Sequence, residues 1–146
     1  MTDFPSEIIG LFFSALISST LAPGGSEVLL AYLVSSNQFS ILVLVVVATA
    51  GNTLGAMTTW WLGFLIATKI GSGRVKRSLS EKSVQVIQSW GAWALLFSWL
   101  PVLGDGLCLA AGWLRLGVWR CLAAIIIGKA VRYAAIAYLF THLFLK

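Results

Sequence analysis

A chain of 146 residues that is 59% hydrophobic and only 10% charged, with a mean hydropathy of +0.93, carries too few charges to clothe a soluble globule of its size. The composition excludes an ordinary water-soluble domain and points to a lipid bilayer. The net charge of +5 is laid out unevenly: residues 1–68 hold Asp3, Glu7 and Glu27 with no Lys or Arg, whereas residues 69–146 hold all ten basic side chains.

Asp3 and Glu7 stand where a secretory signal would be basic, and Pro23 sits where a processing site would fall, so the apolar run from Ile8 is expected to stay attached. Ile8 to Leu21 reads as a helix of about 21 Å at 1.5 Å per residue. Ala22-Pro23-Gly24-Gly25 should break it, because proline lacks a backbone donor and the glycines free the chain. Ser26 is expected to cap the helix that restarts, and Val28 to Val34 adds only about 11 Å. After the polar turn Ser35-Ser36-Asn37-Gln38 comes the first apolar stretch long enough to span, Ile41 to Ile66, interrupted by Gly51-Asn52-Thr-Leu-Gly55.

Lys69, Arg74, Lys76, Arg77 and Lys82 follow. A basic loop beside a span stays cytoplasmic, and this reading is preferred to nucleic-acid binding. Ser78 to Gln88 fits a short helix lying at the membrane surface. Trp90 to Leu100 gives about 16 Å of helix, Pro101 to Gly106 breaks it, and Leu107 to Leu116 returns about 15 Å before Arg115 and Arg120. The second full span is Val118 to Phe140, interrupted by Gly128-Lys129-Ala-Val-Arg132. Trp60, Trp61, Trp90, Trp93, Trp113 and Trp119 are expected as interfacial anchors. Cys108 and Cys121 show neither a CxxC pattern nor a nearby His and read as small packing residues. The lone His142 reads as an interfacial side chain.

The chain therefore carries one signature twice. Pro23-Gly-Gly-Ser-Glu27 and Pro101-Val-Leu-Gly-Asp105, 78 residues apart, each place a carboxylate four positions after a proline, and each is followed by a polar break in a long apolar run. Corresponding breaks in two halves point to a transporter-like site at a repeat interface. Two topologies fit the lengths. Either each broken segment is a re-entrant hairpin reaching the midplane, which makes the repeat inverted, or Ile8 to Val34 and Trp90 to Leu116 are kinked complete spans. The charge bias favours the hairpins, since they leave the N-terminal region outside and seven of the ten basic residues inside. The expected architecture is thus an all-α integral membrane domain over residues 1–146: repeat 1 at 8–68, a cytoplasmic basic loop at 69–89, and repeat 2 at 90–142.

Glu27, Asp105, Lys129 and Arg132 would then lie inside the membrane, where each of Asp, Lys and Arg costs roughly 2.5–3.5 kcal/mol at a helix centre unless paired or hydrated. Two acids and two bases permit compensation, and Lys129 and Arg132, three apart, share a helical face. One reading is a polar cavity in which the bases hold an anionic group and the carboxylates exchange protons, with the restarted helices pointing their anion-attracting ends toward it. The other is a set of buried salt bridges that only ties the halves together. Asn52, aligned with Lys129, is a further candidate, although Gly51-x-x-x-Gly55 around it is first of all a packing motif that could also pair across a dimer. No nucleophile set, phosphate loop, cofactor motif or metal-ligand cluster is visible, so catalysis ranks low.

Leu21-Ala-Pro-Gly-Gly-Ser-Glu27, Gly51-Asn-Thr-Leu-Gly55, Ser98-Trp-Leu-Pro-Val-Leu-Gly-Asp105 through Ala111-Gly-Trp-Leu-Arg115, and Gly128-Lys-Ala-Val-Arg-Tyr133 resemble the DedA family of membrane proteins, also described by its VTT domain, and within it the short branch. The resemblance implies a re-entrant-hairpin fold and a role in moving lipids across the cell inner membrane. For some members this means proton-motive-force-dependent recycling of a polyprenyl phosphate carrier. Glu27 matches the acid of the family's first hairpin. Larger members carry an Arg-x-x-Pro-x-x-Arg type motif in the second hairpin; here Trp99 precedes Pro101, and Gly104 and Asp105 follow it. Lys129 and Arg132 are expected to supply that positive charge from the following span. The expectation is a flippase-like transporter of an anionic lipid, multi-pass, without cofactor, with membrane lipids as partners and a homodimer possible; a non-transporting scaffold with structural charges is the alternative.

Overall fold

A computed structural model describes residues 4–19, 24–69, 81–100 and 103–144. Every regular element among the described residues is helical: α1 (Phe4–Ser18), α2 (Gly25–Ser35), α3 (Ile41–Lys69), α4 (Glu81–Trp90), a 3-10 helix η1 (Gly91–Trp99), α5 (Leu103–Trp113) and α6 (Val118–Phe144). Pro23 and Pro101, with Arg74, Lys76 and Arg77, lie outside the described residues.

Among the described residues only α3 and α6 are long and apolar enough to cross a membrane. Their 29 and 27 residues correspond to about 43 and 40 Å, against a hydrocarbon core of about 30 Å. Both expose large apolar side chains along their length, Leu42, Val46, Leu54 and Leu62 on α3 and Ile127, Val131, Leu139 and Leu143 on α6. A core helix of a soluble protein would bury such residues; an apolar surface of this extent needs lipid around it. The remaining helices run about 15 to 22 Å and are each too short to span alone.

Two compact units divide the chain within α3 and within α6. The first comprises α1, α2, α3 as far as Gly55, and α6 from Lys129. Its core is Leu11 and Ala15 of α1, Leu30, Leu33 and Val34 of α2, Leu44 and Ala48 of α3, and Tyr133 and Ala137 of α6. α1 and α2 pack together, with Ser14 Oγ 4.0 Å from where a Cβ on Gly25 would be. Gly24 makes the entry into α2, with φ 111°, a left-handed conformation that side-chain-bearing residues rarely adopt. Gly51 and Gly55 admit α1 against α3: a Cβ on Gly51 would strike the Phe12 carbonyl, and one on Gly55 would come within 2.6 Å of Ser19 Cβ. The small-residue face is therefore filled by the chain's own first helix.

The second unit, Ala56–Gly128, has its own core of Trp60, Val84, Ile87, Leu95, Cys108, Ala111, Cys121 and Ile125, among others. Both cysteines are buried and neither is in a disulfide. Three expectations change here. Trp90 closes α4, and where an α-helix was expected to run on from it Gly91 to Trp99 form a 3-10 helix, the φ of 59° at Gly91 ending α4. The short helix expected at the membrane surface turns its apolar face inward: Val84 and Ile87 are buried, and Ser83 Oγ sits 3.1 Å from where a Cβ on Gly106 would be. Trp60 is 8% exposed, stacked on Phe64 at 5.7 Å, with Gly112 of α5 closed against its carbonyl; it is a core residue and not an anchor. Trp61, Trp90, Trp93 and Trp119 remain exposed.

The end of α5 is a Schellman turn: the Leu116 N–H bonds the Ala111 carbonyl at 3.0 Å and the Arg115 N–H the Gly112 carbonyl at 2.9 Å. Arg115 holds the left-handed position, φ 56°, usually filled by glycine, with its guanidinium 5.9 Å from the Phe64 ring.

Candidate functional site

Three helices of the first unit meet at the Tyr133 hydroxyl. Tyr133 is fully buried on α6, and its hydroxyl accepts a hydrogen bond from Asn52 Nδ2 of α3 at 2.8 Å and shares another with Ser26 Oγ of α2 at 2.9 Å. Having accepted from Asn52, the phenol oxygen still has a proton to give and a second lone pair, so either hydroxyl can be the donor in the bond to Ser26. Ser26 thus does not cap α2 as expected: Gly24 occupies the cap position without a side-chain bond, and the Ser26 hydroxyl turns to Tyr133.

Arg132 and Glu27, each next in sequence to a member of this hub, form an ion pair between α6 and α2. The pair is partly shielded, with 16% of the Arg132 side chain and 30% of the Glu27 side chain exposed. The carboxylate lies in the first turn of α2, where the helix dipole favours negative charge. Lys129 is buried, 3% exposed, one turn earlier on the face that carries Arg132 and Tyr133, because residues three and four apart on a helix are neighbours.

On α3, Thr49, Asn52 and Thr53 share a face by the same spacing and are all buried. Among the described residues the Asn52 Oδ1 and both threonine hydroxyls find no protein partner, nor does the buried Ser19 hydroxyl at the end of α1. A buried polar atom left without a partner costs about 1–3 kcal/mol, so such a concentration suits water or a polar ligand better than dry packing.

Of the residues expected from sequence, Glu27, Arg132 and Asn52 come together in this unit with Lys129 on the same helix face. Asp105 belongs to the other unit, half-buried in the first turn of α5. Of the expected hairpin breaks, Gly24 and Gly25 open α2, and Gly104 stands where a Cβ would collide with the Ser98 carbonyl. Tyr133 and Ser26 were not expected in the site; the signal for Tyr133 was its place four residues after Lys129, and for Ser26 its position beside Glu27. Among the described residues no group of three or more His, Cys, Asp or Glu could hold a metal.

Comparison with known proteins places this geometry in a family. Residues 5–142 match the VTT domain. The chain is 40% identical over 130 residues to a protein named inner membrane protein YqaA from Escherichia coli K12, covering 89% of this chain and 88% of that one, and equally to its namesake in Shigella flexneri. It is also 39% identical over 144 residues to an uncharacterized protein of Haemophilus influenzae, covering 90% of this chain and 85% of the other. No solved structure matches significantly. With a domain match over almost its full length, two helices long and apolar enough to cross a membrane and relatives at this identity, the chain belongs to the VTT-domain, or DedA, family of membrane proteins, and within it is YqaA-like.

Proposed function

We propose that this chain moves an anionic lipid, a phospholipid or a polyprenyl phosphate, across the cell inner membrane. The Arg132–Glu27 pair is its head-group gate. The carrying observation is that pair, set beside a buried Tyr133–Ser26–Asn52 hub and several oxygens without protein partners among the described residues. A guanidinium presents a planar fork that binds phosphate as readily as carboxylate. When a phosphate takes Arg132 from Glu27, the displaced carboxylate picks up a proton. The site gains one negative charge and one positive, so it stays neutral in a low-dielectric setting where net charge is heavily penalised. This exchange couples transport to protons, with Lys129 as a second head-group partner and Asp105 as the equivalent carboxylate of the second half.

We read α1–α2 and η1–α5 as re-entrant hairpins of inverted repeats. Supporting this, each long helix carries a glycine closed on a backbone carbonyl of the preceding first limb, Gly51 on Phe12 and Gly128 on Leu96. The homologues named as inner membrane proteins support the location.

The test is translocation of labelled phosphatidylglycerol in proteoliposomes. Glu27→Gln and Arg132→Gln are expected to abolish it, with at least one variant folded; wild-type rates in both, folded, would refute the reading. The second reading, a scaffold whose charges are structural, is favoured by Glu27 and Arg132 already satisfying each other. It predicts that every neutralisation unfolds the protein.

A further inference from the structure

A cavity of about 410 Å³ opens in the second unit, lined by none of the residues of the Tyr133 hub. Its shape follows from two different helical periodicities. In a 3-10 helix side chains three apart are eclipsed, so Trp93 and Leu96 of η1 stand in one row. On α6, Arg120, Ala123, Ala124 and Ile127 form a stripe at the α-helical spacing of three and four. The alanines leave a trough between the two rows, and its floor is held tight because Gly128 lets the Leu96 carbonyl approach to 2.6 Å from where a Cβ would be.

Among the described residues the trough is apolar along its length and has one charged group, Arg120, at the end nearest the start of α6. Arg120 makes no ion pair or hydrogen bond among the described residues. Trp93 and Trp119 beside it are 70% and 79% exposed, and Ile127 at the far end is 53% exposed. In a membrane protein such a face meets lipid. Arg120 and Ile127 are seven residues apart, so the trough runs about 10 Å along the helix axis. The volume falls within the roughly 300–1,000 Å³ of ordinary ligand sites.

We infer that this trough binds one anionic phospholipid, its phosphate on the Arg120 guanidinium and an acyl chain lying over Ala123 and Ala124 toward Ile127. The head-to-tail order of the trough, cation at one end and hydrocarbon at the other, matches that of the ligand. The free N–H groups of the first turn of α6 add donors at the phosphate end. A zwitterionic lipid offers the same chain but brings its own cation to the guanidinium. The inference does not depend on the transport reading, because no residue of the proposed gate lines the trough.

The test is native mass spectrometry of the full chain released from nanodiscs containing equal amounts of phosphatidylglycerol and phosphatidylcholine. The wild type is expected to retain one phosphatidylglycerol in preference to phosphatidylcholine. Arg120→Gln, an exposed change, is expected to lower that preference roughly tenfold, as loss of a charge-assisted hydrogen bond would. Ala123→Trp, which fills the trough, is expected to remove the retained lipid of either kind. Equal retention of the two lipids by the wild type, an undiminished preference in Arg120→Gln, or a retained lipid in folded Ala123→Trp would each overturn the inference.

Discussion

Removing the hydroxyl of Tyr133 by Tyr133→Phe keeps the ring that fills the first unit's core and deletes only the atom that joins α2, α3 and α6. Two hydrogen bonds disappear, and the Asn52 amide and Ser26 hydroxyl lose their shared partner. Values from soluble proteins, about 1–3 kcal/mol for each buried group left unsatisfied, would give a total loss of roughly 2–6 kcal/mol. Membrane helices respond less, about 0.6 kcal/mol per side-chain bond on average and about 1.7 at most, because the unfolded chain in lipid also finds partners. With α3 and α6 read as membrane spans the second scale governs, and two bonds predict a loss of about 1–3 kcal/mol. Reversible unfolding in mixed micelles measures it. The sharper check is a double-mutant cycle: in an Asn52→Ala background Tyr133→Phe should cost about 0.6 kcal/mol less than in the wild type, since one of its two bonds is already gone. Strict additivity, or a loss below about 0.3 kcal/mol for Tyr133→Phe alone, would refute the hub.

Other outcomes follow from backbone geometry. Gly112→Ala should destabilise by about 1–3 kcal/mol, because its Cβ meets the Trp60 carbonyl and neither helix can yield without repacking, whereas Gly10→Ala, with nothing within 4 Å, should stabilise α1 by up to about 1 kcal/mol; paired unfolding curves test the contrast. Arg115→Gly should raise stability by about 1 kcal/mol by relieving a left-handed backbone, provided the Phe64 contact contributes less than that. In intact cells, a single cysteine at position 1 should be accessible from outside and one at position 115 from inside if the short helix pairs are re-entrant; the reverse pattern would mean kinked spans.

Both long helices were legible because a long apolar run without proline leaves few alternatives in lipid, even with its polar break, and their ends extend only a few residues past the reading, to Lys69 and Phe144. Glu27 and Arg132 stood out because charges in apolar runs demand compensation, yet nothing in the residue order said which base would take which acid. Tyr133 was harder to see: a tyrosine in an apolar run reads as one more aromatic, and its role depends on α2 delivering Ser26 to it. The serine was available only because Gly24 had already turned the chain into the helix without a side-chain cap. Trp60 was misread for a similar reason, since tryptophan's preference for interfaces is overridden when glycine on a neighbouring helix lets backbones close around it. The 3-10 geometry of η1 left only one trace in the sequence, Gly91, because an apolar segment reads alike for bonding to the third or the fourth residue back.

The gate itself is tested most directly by exchanging the two charges. A pair that only fastens α2 to α6 should work either way round, whereas a gate needs its cation on α6, beside Lys129, to receive the phosphate. Reconstituted Glu27→Arg/Arg132→Glu, confirmed folded, is therefore predicted to have lost phosphatidylglycerol translocation; folded protein translocating at the wild-type rate would contradict the account.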